Sequence, residues 1–118
     1  MIKYATARRG TMQREYDLET ILTITTGKSF IDNWDKIFHL MSFVFGDCPI
    51  NNVNFPILLE TLRAHIIYLY PVFAFLVPNK EIEPNSYIWI EARKLQYGST
   101  LPICPIGEKL SQKKNFMR

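Results

Sequence analysis

The feature that most constrains the fold is the helical spacing of apolar residues in four segments, each of which stops at a glycine or a proline. The four stops are Gly27, Gly46, Pro71 and Gly98. Glycine readily takes the left-handed conformation that follows a helix, and proline has no amide with which to continue one. The sequence therefore predicts a mainly α fold, in which three to four helices surround one core.

The first segment, from Asp17 to Gly27, can be interpreted in two ways. Leu18, Ile21 and Leu22 follow helical spacing behind Asp17, whose carboxylate is a good N-cap. Several residues of the same stretch are β-branched, which favours a strand. We prefer the interpretation as a short helix that ends at Gly27.

The other three segments predict which side of each helix faces the core. The expected core-facing residues are Trp34, Ile37, Phe38, Met41, Val44 and Phe45 in the second segment, Leu58, Leu59, Leu62, Ile66 and Leu69 in the third, and Ile88, Trp89, Ala92 and Leu95 in the fourth. Residues 99–106 contain Pro102 and Pro105, which forbid a helix, and an extended conformation would let them pair with residues 2–6. The sequence thus leaves open an α+β variant, in which N-terminal and C-terminal extended segments form a short two-stranded pairing.

The charged residues divide the chain into an acidic body and two basic ends. With 118 residues the chain has room for one core, so we expect a single domain over residues 1–118. All eleven acidic residues lie between Glu15 and Glu108 together with six basic ones, which gives this body a net charge of −5 although the whole chain carries +3. We therefore expect residues 1–14 and 108–118 to form basic, flexible tails.

The chain opens with polar residues rather than a secretory signal, and its longest nearly apolar run, residues 66–77, contains Pro71 and falls short of a membrane span. We expect a cytoplasmic protein that does not associate with a membrane. The two cysteines, Cys48 and Cys104, lack the spacing of a metal site. We expect them to be reduced thiols, and a disulfide between them is the open alternative.

The tripeptide Gly27-Lys28-Ser29 resembles the end of a phosphate-binding loop. That motif requires a glycine five residues before Gly27, where this chain has Leu22. A leucine hinders the backbone from curling around a phosphate with its amides exposed. A phosphate-binding loop also opens a helix, whereas Gly27 is expected to end one. The tripeptide therefore indicates no nucleotide site.

No other combination of residues in the sequence predicts a catalytic or metal site. His39 and His65 are followed at helical spacing by apolar residues, so we expect both to be structural or exposed. The carboxylates around Asp17 fit a helix N-terminus. The sequence predicts no catalytic residue, no cofactor, no bound metal ion and no enzymatic activity. A deep pocket lined by His65, Cys48 or Asp47 would instead favour an enzyme or a small-ligand sensor.

The basic ends favour nucleic-acid binding as an alternative function. Arg8, Arg9, Lys113 and Lys114 lie near aromatic residues, and such a combination can bind phosphates and stack on bases. The acidic body and the lack of an arginine-rich helix face count against this interpretation.

Apolar residues outside the predicted core stripes indicate a surface for a partner. Leu40, Phe43 and Ile67 are of this kind, and apolar side chains beside an arginine such as Arg63 are typical of interface centres. We expect these four residues to contact a host protein, a phage protein or a second copy of this chain. Further surplus apolar residues are Tyr68, Phe73 and Phe75. A thick, aromatic-rich core is the alternative interpretation.

Two motifs resemble those of a known family. The first comprises Leu18, Ile21, Leu22 and the run from Thr23 to Gly27; the second comprises Tyr97, Gly98, Leu101, Pro102 and Pro105, with Tyr70-Pro71 between them. From Arg14 to Ile106 the chain resembles a family of small, uncharacterised proteins of tailed bacteriophages and prophages. Its relatives usually have a histidine where this chain has Tyr70, and they have an extended polar C-terminus that this chain lacks.

This resemblance implies a phage setting, inside an infected bacterial cell, and it transfers no catalytic residue. Together with the small size and the surplus aromatic residues, it leads us to expect a non-enzymatic accessory protein that acts by protein–protein binding. An inhibitor of a host antiviral defence system is the form of this function that we expect.

Overall fold

A computed structural model describes residues 13–46, 48–78 and 86–107 of the chain. These residues form four α-helices and a two-stranded antiparallel sheet. In chain order the elements are β1 (Arg14–Asp17), α1 (Leu18–Thr26), α2 (Asp35–Phe45), α3 (Phe55–Leu69), a 3₁₀ helix (Pro71–Ala74), α4 (Ser86–Tyr97) and β2 (Thr100–Ile103). The predicted mainly α fold with one short strand pairing is confirmed.

Helix α1 is the central element, because it is buried on nearly all sides. Leu18, Ile21 and Leu22 are fully buried, and the helix packs against β1, α2, α3 and the 3₁₀ helix. It ends at Gly27, which has φ +80° and donates its amide to the Thr23 carbonyl at 3.1 Å. Glycine takes this left-handed conformation without the strain that a Cβ would add. The prediction that Gly27 ends a helix is therefore confirmed.

The Asp17 side chain has a different role from the predicted N-cap. Asp17 directly precedes α1, but its carboxylate makes no capping hydrogen bond. Its Oδ2 instead accepts a hydrogen bond from Nζ of Lys36 on α2 at 2.9 Å. Asp17 is also the last residue of β1 and lies opposite Thr100 in the sheet, so the strand pairing fixes its backbone.

The strand pairing joins β2 to the segment just before α1. Arg14 lies opposite Ile103, and the Leu18 amide donates to the Ser99 carbonyl at 2.9 Å. The residues that the sequence analysis proposed as the partner of this segment, 2–6, lie outside the described part, and the partner that the structure shows is Arg14–Asp17. Because Arg14 belongs to this strand, it also does not belong to the expected N-terminal tail.

Two side chains, one on α3 and one just after its C-terminal end, donate hydrogen bonds to the segment that contains β2. Nε2 of the buried His65 donates to the Cys104 carbonyl at 2.7 Å, and the Tyr70 hydroxyl donates to the Pro102 carbonyl at 2.7 Å. Burial raises the pKa of Tyr70 to about 12, which keeps this hydroxyl protonated. The predicted structural role of His65 is confirmed.

The core-facing side of α2 was predicted correctly at Ile37, Met41 and Val44 but wrongly at Trp34 and Phe38. Ile37, Leu40 and Met41 are fully buried, whereas Trp34 and Phe38 are 43% and 39% exposed. The core stripe thus includes Leu40 in place of the two aromatic residues. Trp34 and Phe38 lie beside the stripe because their rings pack on Phe55 at the edge of α3.

The core-facing side of α4 was predicted correctly at Trp89 but wrongly at Ile88 and Leu95. Trp89 and Ile90 are buried, whereas Ile88 and Leu95 are 60% and 91% exposed. The Trp89 ring stacks on Phe30 at 5.5 Å, and this contact fixes which side of α4 meets the core. By contrast, the predicted face of α3 is confirmed by the burial of its last three apolar members, Leu62, Ile66 and Leu69.

Candidate protein-binding surface

A group of partly exposed apolar side chains lies where the start of α2 meets the start of α3. We call this surface the aromatic groove and define it by Trp34, Phe38, Ile50, Phe55 and Pro56. Phe38 and Phe55 have ring centroids 5.5 Å apart, and those of Trp34 and Phe55 are 6.5 Å apart, both in tilted arrangements. Such tilted pairs are favourable arrangements of aromatic rings, so the three rings support one another.

The sequence places these rings in a simple way. Trp34 and Phe38 are four residues apart at the start of α2, so they lie on one side of that helix. Phe55 is the first residue of α3, and Pro56 follows in the first turn, where a missing amide costs no hydrogen bond. The starts of the two helices therefore carry the whole aromatic cluster.

The loop that closes the groove is held by asparagine side chains. Oδ1 of Asn51 accepts hydrogen bonds from the amides of Val53 and Asn54, both at 2.9 Å. Oδ1 of Asn54 accepts from the Asn51 amide at 2.8 Å, and its Nδ2 donates to the Pro49 carbonyl at 2.7 Å. Because asparagines stabilise turns through such local hydrogen bonds, this side of the groove is preformed.

The groove encloses a cavity of about 290 Å³, lined by Phe38, Ile50, Asn51, Asn52, Phe55 and Pro56. Apolar side chains line it, and two carboxamides are the only side-chain hydrogen-bonding groups in that lining. None of these side chains can act as an acid, a base or a nucleophile at neutral pH. The groove is therefore suited to receiving an apolar side chain and not to catalysis.

The four residues that the sequence predicted as an interface differ in burial and in contacts. Leu40 is fully buried and belongs to the core, so its prediction as a surface contact is wrong. Phe43 is partly buried, with its ring 5.9 Å from that of Tyr16 and the guanidinium of Arg14 4.8 Å from its centre.

Arg63 stabilises the end of α1. Its Nε donates to the Ile24 carbonyl at 3.1 Å, and its Nη1 lies 3.1 Å from a carboxylate oxygen of Glu60. Ile24 has one of the last carbonyls of α1, which an arginine can satisfy. Ile67 is partly buried on α3, Tyr68 and Phe75 are exposed, and Phe73 is buried. The interface role of Phe43, Arg63 and Ile67 stays a prediction.

The sequence analysis missed the groove because it assigned Trp34 and Phe38 to the core. One signal could have found it: aromatic residues stand on both sides of the polar loop between α2 and α3. Arg8, Arg9, Lys113 and Lys114, the residues of the nucleic-acid alternative, lie outside the described residues. The structure therefore brings together a surface that the sequence did not single out.

Of the three groups that would have favoured an enzyme, only His65 and Cys48 lie in the part of the chain that the structure describes, and their surroundings differ. His65 is buried and bonded to a backbone carbonyl, Cys48 lies exposed at the surface, and Asp47 lies outside the described residues. Both Cys48 and Cys104 are thiols, as expected. Within residues 13–46, 48–78 and 86–107, no three side chains of histidine, cysteine, aspartate or glutamate are grouped to hold a metal ion.

Comparisons of the chain with protein-family models, curated proteins and solved structures found no match. Among the described helices, none combines the length and the apolar composition that crossing a bilayer requires.

Proposed function

We propose that this chain is a non-enzymatic accessory protein of a tailed bacteriophage that acts by binding a host or phage protein through the aromatic groove. The observation that carries the proposal is the exposure of Trp34 and Phe38 beside a preformed cavity of about 290 Å³. Aromatic side chains around a pocket are typical of the centres of protein interfaces, where they supply most of the binding free energy.

The expected partner presents an apolar side chain to the groove. The cavity volume and the aromatic lining suit a leucine-sized or phenylalanine-sized side chain, and the Asn52 carboxamide at the rim can bond to the partner backbone. The phage resemblance supplies the setting, and we propose a component of a bacterial antiviral defence system as the target. A second copy of this chain is the other partner to be considered.

Affinity capture tests this proposal. Tagged wild-type protein and a Phe38→Asp variant would be incubated with a lysate of a host bacterium, and stoichiometric partners identified by mass spectrometry. We expect one partner with the wild type and none with Phe38→Asp, because a carboxylate in the groove opposes burial of an apolar side chain. Leu95→Asp, on the highly exposed side of α4, is the matched control and should retain the partner.

Two results of the capture would contradict the proposal. One is the absence of any stoichiometric partner at several salt concentrations. The other is equal capture by the wild type and by a Phe38→Asp variant whose circular dichroism spectrum shows a native fold. A mass measurement of the purified protein in solution distinguishes self-association from binding of a different protein.

Nucleic-acid binding through the basic ends is the alternative function, supported by the seven basic residues in residues 1–10 and 109–118. It predicts an affinity for nucleic acid that falls steeply with salt and disappears when residues 1–10 and 109–118 are removed. Unchanged binding after this truncation would exclude the alternative.

A further inference from the structure

The aromatic groove leaves two of its rings partly uncovered. Trp34 and Phe38 are 43% and 39% exposed, although both pack against Phe55. Removal of apolar surface from water is favourable, so an apolar side chain that enters the cavity and covers these rings is stabilised there. Residues 108–118 of the same chain, which lie outside the described part, can supply such a side chain.

The described part of the chain ends beside α2, the helix whose start carries two of the groove residues. The Ile106 amide donates to the Val44 carbonyl at 3.0 Å, and Val44 lies in the last turn of α2. Phe38 is six residues before Val44, which corresponds to about 9 Å along the helix. Residues 108–118 therefore begin a short distance from the groove.

Residues 108–118, which we call the basic segment, contain one aromatic residue, Phe116. It is followed by Met117, whose unbranched side chain adapts to irregular cavities. Phe116 is ten residues after Ile106, and a chain of that length spans up to about 33 Å. This length covers both the distance along α2 and the path around the helix. Leu110 is four residues after Ile106 and reaches about 13 Å at most, which leaves no length for that path.

The charges of the basic segment and of the groove rim are opposite. The segment has four basic residues and one acidic residue, so its net charge is +3. At the start of α2, Asp32 and Asp35 are exposed, and neither takes part in an ion pair in the part of the chain that the structure describes. Lys113 and Lys114 precede Phe116 by three and two residues. With Phe116 in the cavity, these ammonium groups come close to carboxylates that attract them.

The covalent connection makes even a weak contact sufficient. A segment that is tethered close to its binding site has an effective concentration of about 1 mM. A contact with a Kd of about 1 mM between separate molecules would therefore fill the groove for about half of the time. Burial of a phenylalanine side chain supplies much of the free energy that so weak a contact requires.

From these observations we propose that the basic segment occupies the aromatic groove of its own chain, with Phe116 in the cavity, and so competes with the protein partner. The inference rests on the proposed function, because the same groove is to receive that partner. Occupation for about half of the time would raise the apparent Kd of the partner about twofold. The chain thus contains its own regulator of the groove.

Quenching of tryptophan fluorescence by acrylamide tests the proposal on the full chain. The chain has two tryptophans: Trp34 lies in the groove and is partly exposed, whereas Trp89 is 1% exposed. Acrylamide therefore reports mainly on Trp34, and a Trp34→Phe variant gives the contribution of Trp89. A phenylalanine side chain in the groove shields Trp34 from the quencher.

Three variants connect the shielding to the basic segment. For Phe116→Ala we expect the Stern–Volmer constant to rise about twofold or more, the factor that corresponds to occupation for at least half of the time. Replacement of Lys113 and Lys114 by glutamate should also raise it, because the charges then repel the groove rim. Leu110→Ala removes an apolar side chain that is too close to α2 to reach the groove, and it should leave the constant unchanged. Unchanged circular dichroism spectra exclude unfolding as the cause.

Three results would overturn the proposal. The first is a constant in folded Phe116→Ala, or in the folded lysine variant, that equals the constant of the wild type. The second is an equal rise in Leu110→Ala. The third is shielding that disappears on dilution, which would assign the segment to a second copy of the chain. No measurement here involves a partner, so capture of a partner that is lost in Phe38→Asp would support the proposed function even after these results.

Discussion

Tyr70 shows how one residue can link two distant parts of this chain. Its hydroxyl donates to the Pro102 carbonyl at 2.7 Å, which joins the end of α3 to β2. Its ring also packs against Phe73 of the 3₁₀ helix, with centroids 5.6 Å apart. We therefore assign Tyr70 a structural role.

Replacement of Tyr70 by phenylalanine tests that role. Tyr70→Phe keeps the ring but leaves the Pro102 carbonyl without its donor, so we expect the free energy of unfolding to fall by about 1–2 kcal/mol. Tyr68→Phe removes a hydroxyl from an exposed tyrosine and should have almost no effect. Urea denaturation of both variants measures the difference. Equal stabilities would show that the hydrogen bond contributes nothing.

The raised pKa of Tyr70 also predicts how stability depends on pH. The hydroxyl ionises at 10.0 in the unfolded chain and at about 12 in the folded protein, mainly because of burial. Between these values the unfolded state binds fewer protons, so the free energy of unfolding should fall as the pH rises through this range. The contribution is fully present below pH 10.

The comparison with Tyr70→Phe isolates this effect from other groups that ionise in the same range. Urea denaturation at about pH 9 and about pH 11 should show a smaller loss of stability in Tyr70→Phe than in the wild type. A loss of the same size in both proteins would mean that Tyr70 does not titrate as proposed.

At the scale of elements, helix α4 shows what the sequence could and could not predict. Its two apolar stripes fit helical spacing equally well, and Ile88 and Leu95 lie on the side opposite Trp89 and Ile90. The choice between them depends on contacts distant in sequence, such as Trp89 on Phe30 and the ion pair of Lys94 with Glu19. Local spacing contains no information about such contacts.

Where one local signal dominates, prediction from the sequence succeeded. The left-handed stop at Gly27 and the single apolar face of α3 were predicted from residue types and spacing alone. The aromatic groove could not be predicted in this way, because it depends on how the starts of α2 and α3 meet.

Two isoleucines of α4 provide a matched test of the orientation of this helix. Ile90 is 4% exposed and Ile88 is 60% exposed. We expect Ile90→Ala to lower the free energy of unfolding by about 2–4 kcal/mol, since it leaves a cavity in the core. Ile88→Ala should change it by less than about 1 kcal/mol. Urea denaturation measures both, and the reverse order would mean that the opposite face of α4 meets the core.

The turn at Gly27 offers a second test at this scale. Gly27→Ala places a Cβ on a residue with φ +80°, which should cost about 1–2 kcal/mol. Gly27→Asn should cost less, because asparagine tolerates the left-handed conformation better. Thermal or urea denaturation of the two variants gives the comparison. An alanine variant as stable as the asparagine variant would contradict the account of this helix end.

At the scale of the whole molecule, the described residues form one core with the aromatic groove on its surface. The groove is lined mainly by apolar side chains, and its rings are partly exposed. Our proposals assign the molecule a binding function at its surface, with the aromatic groove as the site for a protein partner.

The most direct test of this claim is site-specific photo-cross-linking in a host lysate. A photoreactive amino acid would replace Phe38 in the groove and, in a separate protein, Leu95, which is 91% exposed on α4. The account predicts one discrete protein adduct from position 38 and none from position 95. It would be contradicted by the same adducts from both positions, or by no adduct from position 38.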